Sequence, residues 1–322
     1  MKAAVLRGPG GVPEHADFDE PPVPPGRELV ELAAAGIHPV VRSLAAGRHY
    51  GSARTYPLIP GVDVVARTAD GGLIYTGYVQ SPYGTLAERM AVPTAMQVRL
   101  PDGARPESVA GGLNPGLSSW LPLRNRQSET GALGTVLILG ATGMAGLLAV
   151  QNARLLGAGQ VIAAGRDQDR LARAEAHGAT AVPLPGARDA AAAALADAIG
   201  DAAPGLVLDF VWGAPAEAAF AALARQGLDE DKADIAYVQI GALAGAEAAV
   251  PAALLRSRRI RITGSGAGSA SVDTIMAELP GYMQMIAEGR IEVPVRVFPL
   301  SAVTDAWAAS ARGGERAVVV PG

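Results

Sequence analysis

The sequence contains no cysteine, and this absence excludes several kinds of chemistry at once. Disulfides, thiolate catalysis and zinc sites with cysteine ligands all need that residue. Histidine is also scarce. The chain has only His15, His38, His49 and His177, and no two of them have the spacing of metal ligands on one element. We therefore expect no bound metal.

A strong charge of one sign and long apolar runs are missing as well. The formal net charge is −4, whereas nucleic-acid binding needs a basic surface to neutralise phosphates. No apolar run is long enough to span a bilayer, and residues 1–11 lack the apolar core and cleavage site of a signal peptide. We expect neither nucleic acid nor a membrane as a partner, and a cytoplasmic location.

The chain is rich in apolar residues, and its N-terminal third is predicted to be mainly β. Hydrophobic residues make up 49% of the 322 residues, enough for two domains with their own cores. Gly71 and Gly72 after Asp70 predict a hairpin tip. Five short apolar segments bounded by turn residues predict strands: Ala3–Leu6, Leu29–Ala33, Val62–Ala66, Leu73–Tyr78 and Met90–Val92.

From residue 135 the pattern changes to alternating strands and helices. Five continuous apolar segments have the form of buried parallel strands: Thr135–Leu139, Val161–Ala164, Leu206–Phe210, Ile235–Ile240 and Arg259–Thr263. Alanine- and leucine-rich segments between them predict helices, among them Met144–Leu156, Arg170–His177 and residues 191–199. This alternation predicts an α/β fold with a doubly wound parallel sheet.

The remaining segments predict a turn and a mixed C-terminal part. Asn114 and Pro115 predict a linker turn where two domains join. Val272–Glu288 predicts a helix and Val293–Phe298 a strand, and Ser301 is the expected N-cap of a last helix.

A glycine-rich turn lies between the strand Thr135–Leu139 and the helix that follows it. Gly140 lets the chain turn sharply, Gly143 has no side chain to hold a pyrophosphate away, and Gly146 allows the helix to pack closely on the sheet. The helix N-terminus offers free N–H groups and a positive dipole end. The alternative is a tight turn without a ligand. We predict a dinucleotide site formed by Gly140, Ala141, Thr142, Gly143, Met144 and Ala145.

The end of the second predicted strand indicates which dinucleotide binds. An NAD enzyme usually carries an acidic residue there to bind the ribose hydroxyls. This chain has Arg166 and Arg170, which could fork around a 2′-phosphate. Asp167 is the competing signal, and its simpler interpretation is the N-cap of the next helix. Alternatively, the two arginine side chains could simply lie in solvent where the next helix begins. Cations near a helix N-terminus oppose its dipole and therefore need another reason to be there. We favour NADPH, because its 2′-phosphate would supply that reason.

Several motifs in order resemble those of one family. Ala35–Pro39 resembles an A-G-(I/V)-N-x segment, Pro57–Asp63 a P-(F/L)-(I/V)-P-G-x-(E/D) segment, and Tyr83–Glu88 a G-(S/T)-(Y/F)-A-E segment. Gly140–Gly146 resembles a G-A-x-G-x-x-G turn, and Val207–Gly213 a V-L-D-x-V-G-G strand end. Together they resemble the quinone oxidoreductase (zeta-crystallin-like) branch of the medium-chain dehydrogenases/reductases, over nearly the whole chain.

The resemblance implies a domain organisation. Residues 1–113 and 269–322 would form a mainly-β, GroES-like catalytic domain, and residues 114–268 a Rossmann domain that binds NADPH. It also implies a cleft for the nicotinamide and a homodimer that pairs the edge strand Arg259–Thr263.

One departure from the family pattern decides the expected chemistry. Zinc-dependent relatives carry a Cys after G-I and a His after P-G, where this chain has His38 and Val62. Without a Lewis acid to stabilise an alkoxide, hydride addition to an activated acceptor is the easier reaction. We expect a quinone or an α,β-unsaturated carbonyl (enone) as the acceptor. An enoyl reductase acting on carrier-bound acyl chains and a non-catalytic NADPH-binding sensor stay open as alternatives.

The resemblance also assigns roles to individual residues. His38 and Tyr50 are the catalytic candidates, His38 as a hydrogen-bond or proton donor and Tyr50 as an aromatic wall of the cleft. Both could instead have structural roles, His38 satisfied by local backbone and Tyr50 packed in its loop. Ser118 matches a Thr near the nicotinamide carboxamide. Residues at two further strand ends should approach the cofactor: Gly241, Ala242, Leu243, Gly264 and Ser265.

Overall fold

The structure, a computed structural model, describes residues 1–53, 55–266 and 268–322. Within them the chain divides into two compact units. The first contains Met1–Pro115 and Val272–Gly322, and the second contains Gly116–Ser271. No helix in the described ranges is both long and apolar enough to cross a membrane.

The strands and helices are numbered separately along the chain. The strands are β1 (Lys2–Val5), β2 (Glu14–Asp17), β3 (Arg27–Gly36), β4 (Asp63–Arg67), β5 (Leu73–Gly77), β6 (Arg89–Pro93), β7 (Val98–Arg99), β8 (Thr135–Leu139), β9 (Gln160–Gly165), β10 (Thr180–Pro183), β11 (Leu206–Asp209), β12 (Ile235–Gln239), β13 (Ile260–Gly264), β14 (Val295–Pro299) and β15 (Arg316–Val320). The helices are α1 (Pro39–Ala45), α2 (Pro106–Thr130), α3 (Met144–Leu155), α4 (Gln168–Ala176), α5 (Arg188–Ile199), α6 (Gly213–Leu223), α7 (Ala252–Ser257), α8 (Val272–Ala287) and α9 (Val303–Ser310).

The first unit is a mainly antiparallel β structure. Its larger sheet has the order β14-β15-β3-β4-β5-β7, with β6 also paired to β3, and β1 and β2 form a separate pair. The predicted hairpin at Gly71 joins β4 to β5, which pair antiparallel with Asp63 opposite Gly77. Its core includes Leu6, Ile37, Met90 and Trp307, so both ends of the chain contribute to it.

The second unit contains a six-stranded parallel sheet with the order β10-β9-β8-β11-β12-β13. Strand β8 is covered on both faces, because Leu137 and Leu139 pack in one apolar cluster and Val136 and Ile138 in another. Burial on both faces explains the continuous apolar runs in the sequence. The predicted fold class, a doubly wound Rossmann sheet with a mainly-β catalytic domain, is confirmed.

The linker turn predicted at Asn114 and Pro115 is wrong, since α2 runs without a break from Pro106 to Thr130. The glycines before Asn114 serve packing instead. A Cβ on Gly111 would lie 2.7 Å from a Val295 methyl carbon, and one on Gly112 would lie 2.5 Å from a Val293 methyl carbon. Close approach of the helix to these side chains therefore outweighs the local turn signal.

The N-cap predicted at Ser301 is also wrong. Ser301 lies inside a short 3₁₀ helix, Leu300–Ala302, and α9 follows with Ala302 as its N-cap and no side-chain cap. Because the 3₁₀ turn leads directly into α9, the chain is already helical where the cap was expected.

Candidate active site

The glycine-rich turn follows β8, which lies at the point where the strand order of the parallel sheet reverses. The chain proceeds from β8 outward to β9 and β10 on one side, and then to β11, β12 and β13 on the other. In open α/β sheets, ligands bind beyond the carboxyl ends of the strands at this point. The turn therefore lies at the edge where such folds bind dinucleotides.

Two of the three glycines in the turn are required by the protein itself. Gly140 has φ +87°, and its N–H and that of Ala141 both donate to the Ala164 carbonyl at 3.0 Å. A Cβ on Gly146 would overlap the Gly140 carbonyl oxygen and lie 2.6 Å from the Ala141 Cα. These contacts fix α3 against the end of β8.

Gly143 is different, because nothing in the protein requires a glycine there. It is exposed, its φ is −87°, and a Cβ would meet only the Gly140 oxygen at an ordinary 3.6 Å. It is the N-cap of α3 and offers no side chain to the first free N–H groups, which belong to Met144, Ala145 and Gly146. The space beside Gly143 and the uncapped N–H groups fit a pyrophosphate.

Arg166 and Arg170, which were predicted to act as a pair, have different surroundings. Arg166 follows β9, is exposed, and has no ion-pair partner among the described residues. Arg170 lies in the first turn of α4, and its Nε is 3.1 Å from the Asp167 carboxylate. The N-cap predicted at Asp167 is confirmed, since its Oδ1 accepts from the Arg170 backbone N–H at 3.1 Å.

The buried Asp209 organises the next part of this edge. Its Oδ1 accepts from the backbone N–H groups of Val211 and Trp212, both at 2.8 Å, and its Oδ2 accepts from the Tyr237 hydroxyl at 2.6 Å. Its carbonyl accepts from the Gly241 N–H at 3.1 Å. Burial raises the pKa of Asp209, and the hydrogen bonds that its carboxylate accepts from Tyr237, Trp212 and Val211 oppose the rise. Asp209 thus ties the end of β11 to β12 and to the loop after it.

The loops after β12 and β13 carry the remaining predicted cofactor residues. A Cβ on Gly241 would overlap the Phe210 carbonyl oxygen, so a glycine is required there. Ala242 and Leu243 are exposed, Leu243 to 74%. Gly264 ends β13, and the Ser265 N–H donates to the Gln239 carbonyl at 2.8 Å. Because all six strands are parallel, these loops share one edge of the sheet with the glycine-rich turn.

In the first unit, His38 lies at the N-cap of α1 and is 1% exposed. Its Nε2 is 3.3 Å from the Asp63 Oδ1, within ion-pair distance, but the two atoms do not form a hydrogen bond. Neither ring nitrogen has a hydrogen-bond partner among the described residues. A Cβ on Gly36 would lie 2.7 Å from the ring, so the glycine makes room for it. Because neither ring nitrogen is hydrogen-bonded to a described residue, the simpler alternative, a ring satisfied by local backbone, is wrong.

Asp63 is the centre of a buried polar group around His38. The Tyr75 hydroxyl donates to the Asp63 Oδ2 at 2.7 Å, and Arg316 interacts electrostatically with the same carboxylate. Arg316 Nη1 also donates to the Ile37 carbonyl at 3.0 Å. Burial lowers the pKa of Arg316 to about 10, and the charge of Asp63 opposes this shift. The pKa of Tyr75 is well above its usual value. Burial is the larger cause, and the negative charge of Asp63 is the second.

Sequence reasoning missed Asp63, Tyr75 and Arg316 as members of this group. An acidic residue within the apolar run Val62–Ala66 was a usable signal, because a buried carboxylate needs partners. Tyr75 lies diagonally across the β4–β5 pair, which the hairpin register could have indicated. Arg316 is distant in the chain, and no local pattern marks it.

The two other predicted cleft residues are placed differently. Tyr50 is 84% exposed and stacks on His49, with ring centroids 4.0 Å apart, and no described contact joins it to His38. Ser118 lies half-buried on α2. Its neighbour Ser119 is fully buried, donates to the Gly116 carbonyl at 3.1 Å and accepts from Asn152. Within the described residues no cluster of three or more metal-binding side chains occurs.

Comparison with known proteins places the chain in a family. The sequence model of a family described as zinc-binding dehydrogenase matches residues 145–288. A probable NADPH-dependent quinone reductase of Emericella nidulans is 30% identical, over 96% of each chain. The chain belongs to the medium-chain dehydrogenase/reductase family, in its quinone oxidoreductase branch. Members of this family use NAD(P), and the protein is an oxidoreductase of the quinone reductase type.

Solved structures with different descriptions have the same fold. The quinone oxidoreductase of Thermus thermophilus, also solved with NADPH, is 28% identical with a TM-score of 0.81, over 99% of this chain and all of its own. A putative alcohol dehydrogenase of Sinorhizobium meliloti reaches the same TM-score at 22% identity, over 100% of this chain and 97% of its own. The same fold thus occurs in a quinone oxidoreductase and in a putative alcohol dehydrogenase, so the fold does not identify the substrate.

Proposed function

We propose that this protein is an NADPH-dependent reductase that transfers hydride to a quinone or to the β-carbon of an α,β-unsaturated carbonyl. The observation that carries the proposal is the edge of the parallel sheet after β8. There, a helix N-terminus without a side-chain cap and an open Gly143 accompany Arg166 after β9, which is exposed and has no ion-pair partner among the described residues. The 30% identity to a probable NADPH-dependent quinone reductase supports the same conclusion.

The residues of this edge fit the parts of the cofactor. The N–H groups at the start of α3 would bind the pyrophosphate, and Arg166 the 2′-phosphate. Ser118 would hydrogen-bond the nicotinamide carboxamide. The rest of the cofactor would lie against Gly241, Ala242, Leu243, Gly264 and Ser265. We retain residues 114–268 as the cofactor-binding domain and residues 1–113 and 269–322 as the catalytic domain.

When bound, NADPH supplies the hydride, and the acceptor also gains a proton. The residues of the chain then have to position the acceptor, exclude water and manage that proton. We propose that His38 hydrogen-bonds the nicotinamide ribose or the acceptor carbonyl, or donates the proton, and that Tyr50 contacts the acceptor. In support, both ring nitrogens of His38 are buried without a hydrogen-bond partner among the described residues, and such groups usually have one.

His38 can be tested by substitution. We expect His38→Ala to lower kcat/KM by about 100-fold or more, the usual contribution of a positioned proton donor. His38→Asn, which keeps a hydrogen-bonding group, should lose less. Tyr83→Phe serves as a control that removes a hydroxyl bound to the Glu20 carbonyl. Steady-state kinetics with unchanged thermal midpoints would check this, and equal loss in the Ala and Asn variants would contradict hydrogen bonding.

The overall proposal is tested by following NADPH oxidation with a panel of quinones, 2-alkenals and carrier-bound enoyl substrates. We expect turnover on at least one class and a preference for NADPH over NADH. Tight NADPH binding without turnover on any acceptor would instead support a non-catalytic NADPH-binding protein. Turnover confined to carrier-bound acyl substrates would support an enoyl reductase.

A further inference from the structure

A polar hollow lies in the first unit, where the turn containing Gly10 and Gly11 meets the end of α1. Its volume is about 120 Å³. Its walls include Arg42, Arg48 and Trp307, and no acidic side chain in the described part of the chain lines it. Two arginines thus face one small space with no carboxylate of the described residues beside them.

Arg42 is held rigidly in this hollow. Its Nη1 donates to the Trp307 carbonyl at 2.6 Å and to the Ser310 Oγ at 3.0 Å, and its guanidinium lies over the Trp307 ring, 4.9 Å from the centroid. No described residue accepts from its other guanidinium nitrogens. A guanidinium fixed in this way can bind a further group with little loss of side-chain entropy.

Arg48 adds a second positive charge at the same place. Its side chain is exposed and has no hydrogen-bond or ion-pair partner among the described residues. Burial lowers the pKa of Arg42, and the nearby charge of Arg48 lowers it further. An anion between the two guanidinium groups would remove this repulsion.

The structural alternative is that the two arginines cap the C-terminus of α1. The carbonyls there are already occupied by backbone donors. Ala46 N–H donates to the Arg42 carbonyl at 2.9 Å and Arg48 N–H to the Ser43 carbonyl at 3.1 Å. The Leu44 carbonyl accepts from Gly47 at 3.1 Å and the Ala45 carbonyl from Gly10 at 3.0 Å. Neither arginine side chain is therefore needed to cap α1, although Arg42 does bond the Trp307 carbonyl in the last turn of α9.

We propose that this hollow binds the oxyanion group, phosphate or carboxylate, of a small molecule other than the substrates of the proposed reaction. Arg42 forms the half of the site that Trp307 and Ser310 already hold in place, and Arg48 forms the exposed half. Guanidinium groups bind such oxygens through paired, charge-assisted hydrogen bonds. Binding here does not depend on the proposed reductase activity.

The three tryptophans give a local readout of binding. Trp307 lines the hollow, whereas Trp212 follows Asp209 at the edge of the parallel sheet and Trp120 lies on α2. Indole N–H signals of the ¹⁵N-labelled full chain would be followed by NMR, with the Trp307 signal assigned by Trp307→Phe. Inorganic phosphate and acetate would be titrated separately. A phosphate bound at the cofactor edge instead would shift Trp212 and not Trp307.

We expect a saturable shift of the Trp307 signal with phosphate, acetate or both, and the responding anion identifies the group recognised. Arg48→Ala should weaken this binding at least tenfold while leaving the Trp120 and Trp212 signals in place. Arg105→Ala, which removes an arginine that is 73% exposed elsewhere in the unit, should bind as the wild type does. No shift with either anion in the millimolar range, or equal affinity in Arg48→Ala and the wild type, would overturn the proposal.

Discussion

At the scale of single residues, the proposed preference for NADPH depends on a guanidinium that can bind a phosphate. Arg166 has no ion-pair partner among the described residues, whereas the Nε of Arg170 lies 3.1 Å from Asp167. A competing carboxylate reduces what Arg170 can offer to a ligand. The sequence pattern shows both arginines but not their partners, so this difference could not be predicted.

We expect Arg166→Ala to weaken NADPH binding by about 10- to 100-fold, the effect of losing a charge-assisted hydrogen bond, and to leave NADH binding nearly unchanged. Arg170→Ala should have a smaller effect, because its guanidinium already pairs with Asp167. Fluorescence titration with both cofactors measures this. Arg173→Ala, an exposed arginine further along α4, is the matched control. Equal loss of NADPH and NADH affinity in Arg166→Ala would contradict the assignment.

At the scale of secondary-structure elements, the strand–turn–helix unit from β8 to α3 was predictable in position and in the structural roles of Gly140 and Gly146. The predicted strand Thr135–Leu139 coincides with β8, and the predicted helix is one residue longer than α3. A pattern with three glycines at these spacings has few structural solutions between a strand and a helix. Local pattern sufficed here because the contacts that decide the structure are themselves local.

The same local reasoning failed in α2 and at Ser301. At Asn114 and Pro115 the deciding contacts reach across the chain, from Gly111 and Gly112 to Val295 and Val293. Such contacts carry no signature near the residues concerned, so tertiary packing overrides the turn propensity.

Two glycine substitutions in the turn separate a structural from a ligand-binding role. Gly146→Ala should destabilise the protein by about 1–3 kcal/mol, because its Cβ would overlap the Gly140 carbonyl and overpacking has that cost. Gly143→Ala should leave stability nearly unchanged and weaken NADPH binding, since only the ligand needs that space. Thermal unfolding and cofactor titration of both variants would check this. Unchanged NADPH affinity in Gly143→Ala would contradict a pyrophosphate at this position.

At the scale of the whole molecule, the alternation of strands and helices predicted the parallel sheet, and the order β10-β9-β8-β11-β12-β13 places the turn at its switch point. The buried group of His38, Asp63, Tyr75 and Arg316 joins four separate segments, and only tertiary structure reveals it. Strand β13 has one neighbour within the described sheet, and a homodimer formed through its free edge stays a prediction.

The most direct test of the account is to follow the hydride itself. NADPH deuterated at the reactive C4 position would be incubated with the protein and the acceptor that turns over fastest, and the product analysed by mass spectrometry and NMR. With an enone we predict one deuterium per product molecule, carried on the β-carbon. A quinone product exchanges deuterium from its hydroxyl groups with water, so for a quinone we predict a primary kinetic isotope effect on NADPH oxidation instead. Enone product without deuterium, no isotope effect in single-turnover reduction of a quinone, or NADPH oxidation without a reduced product would contradict direct hydride transfer.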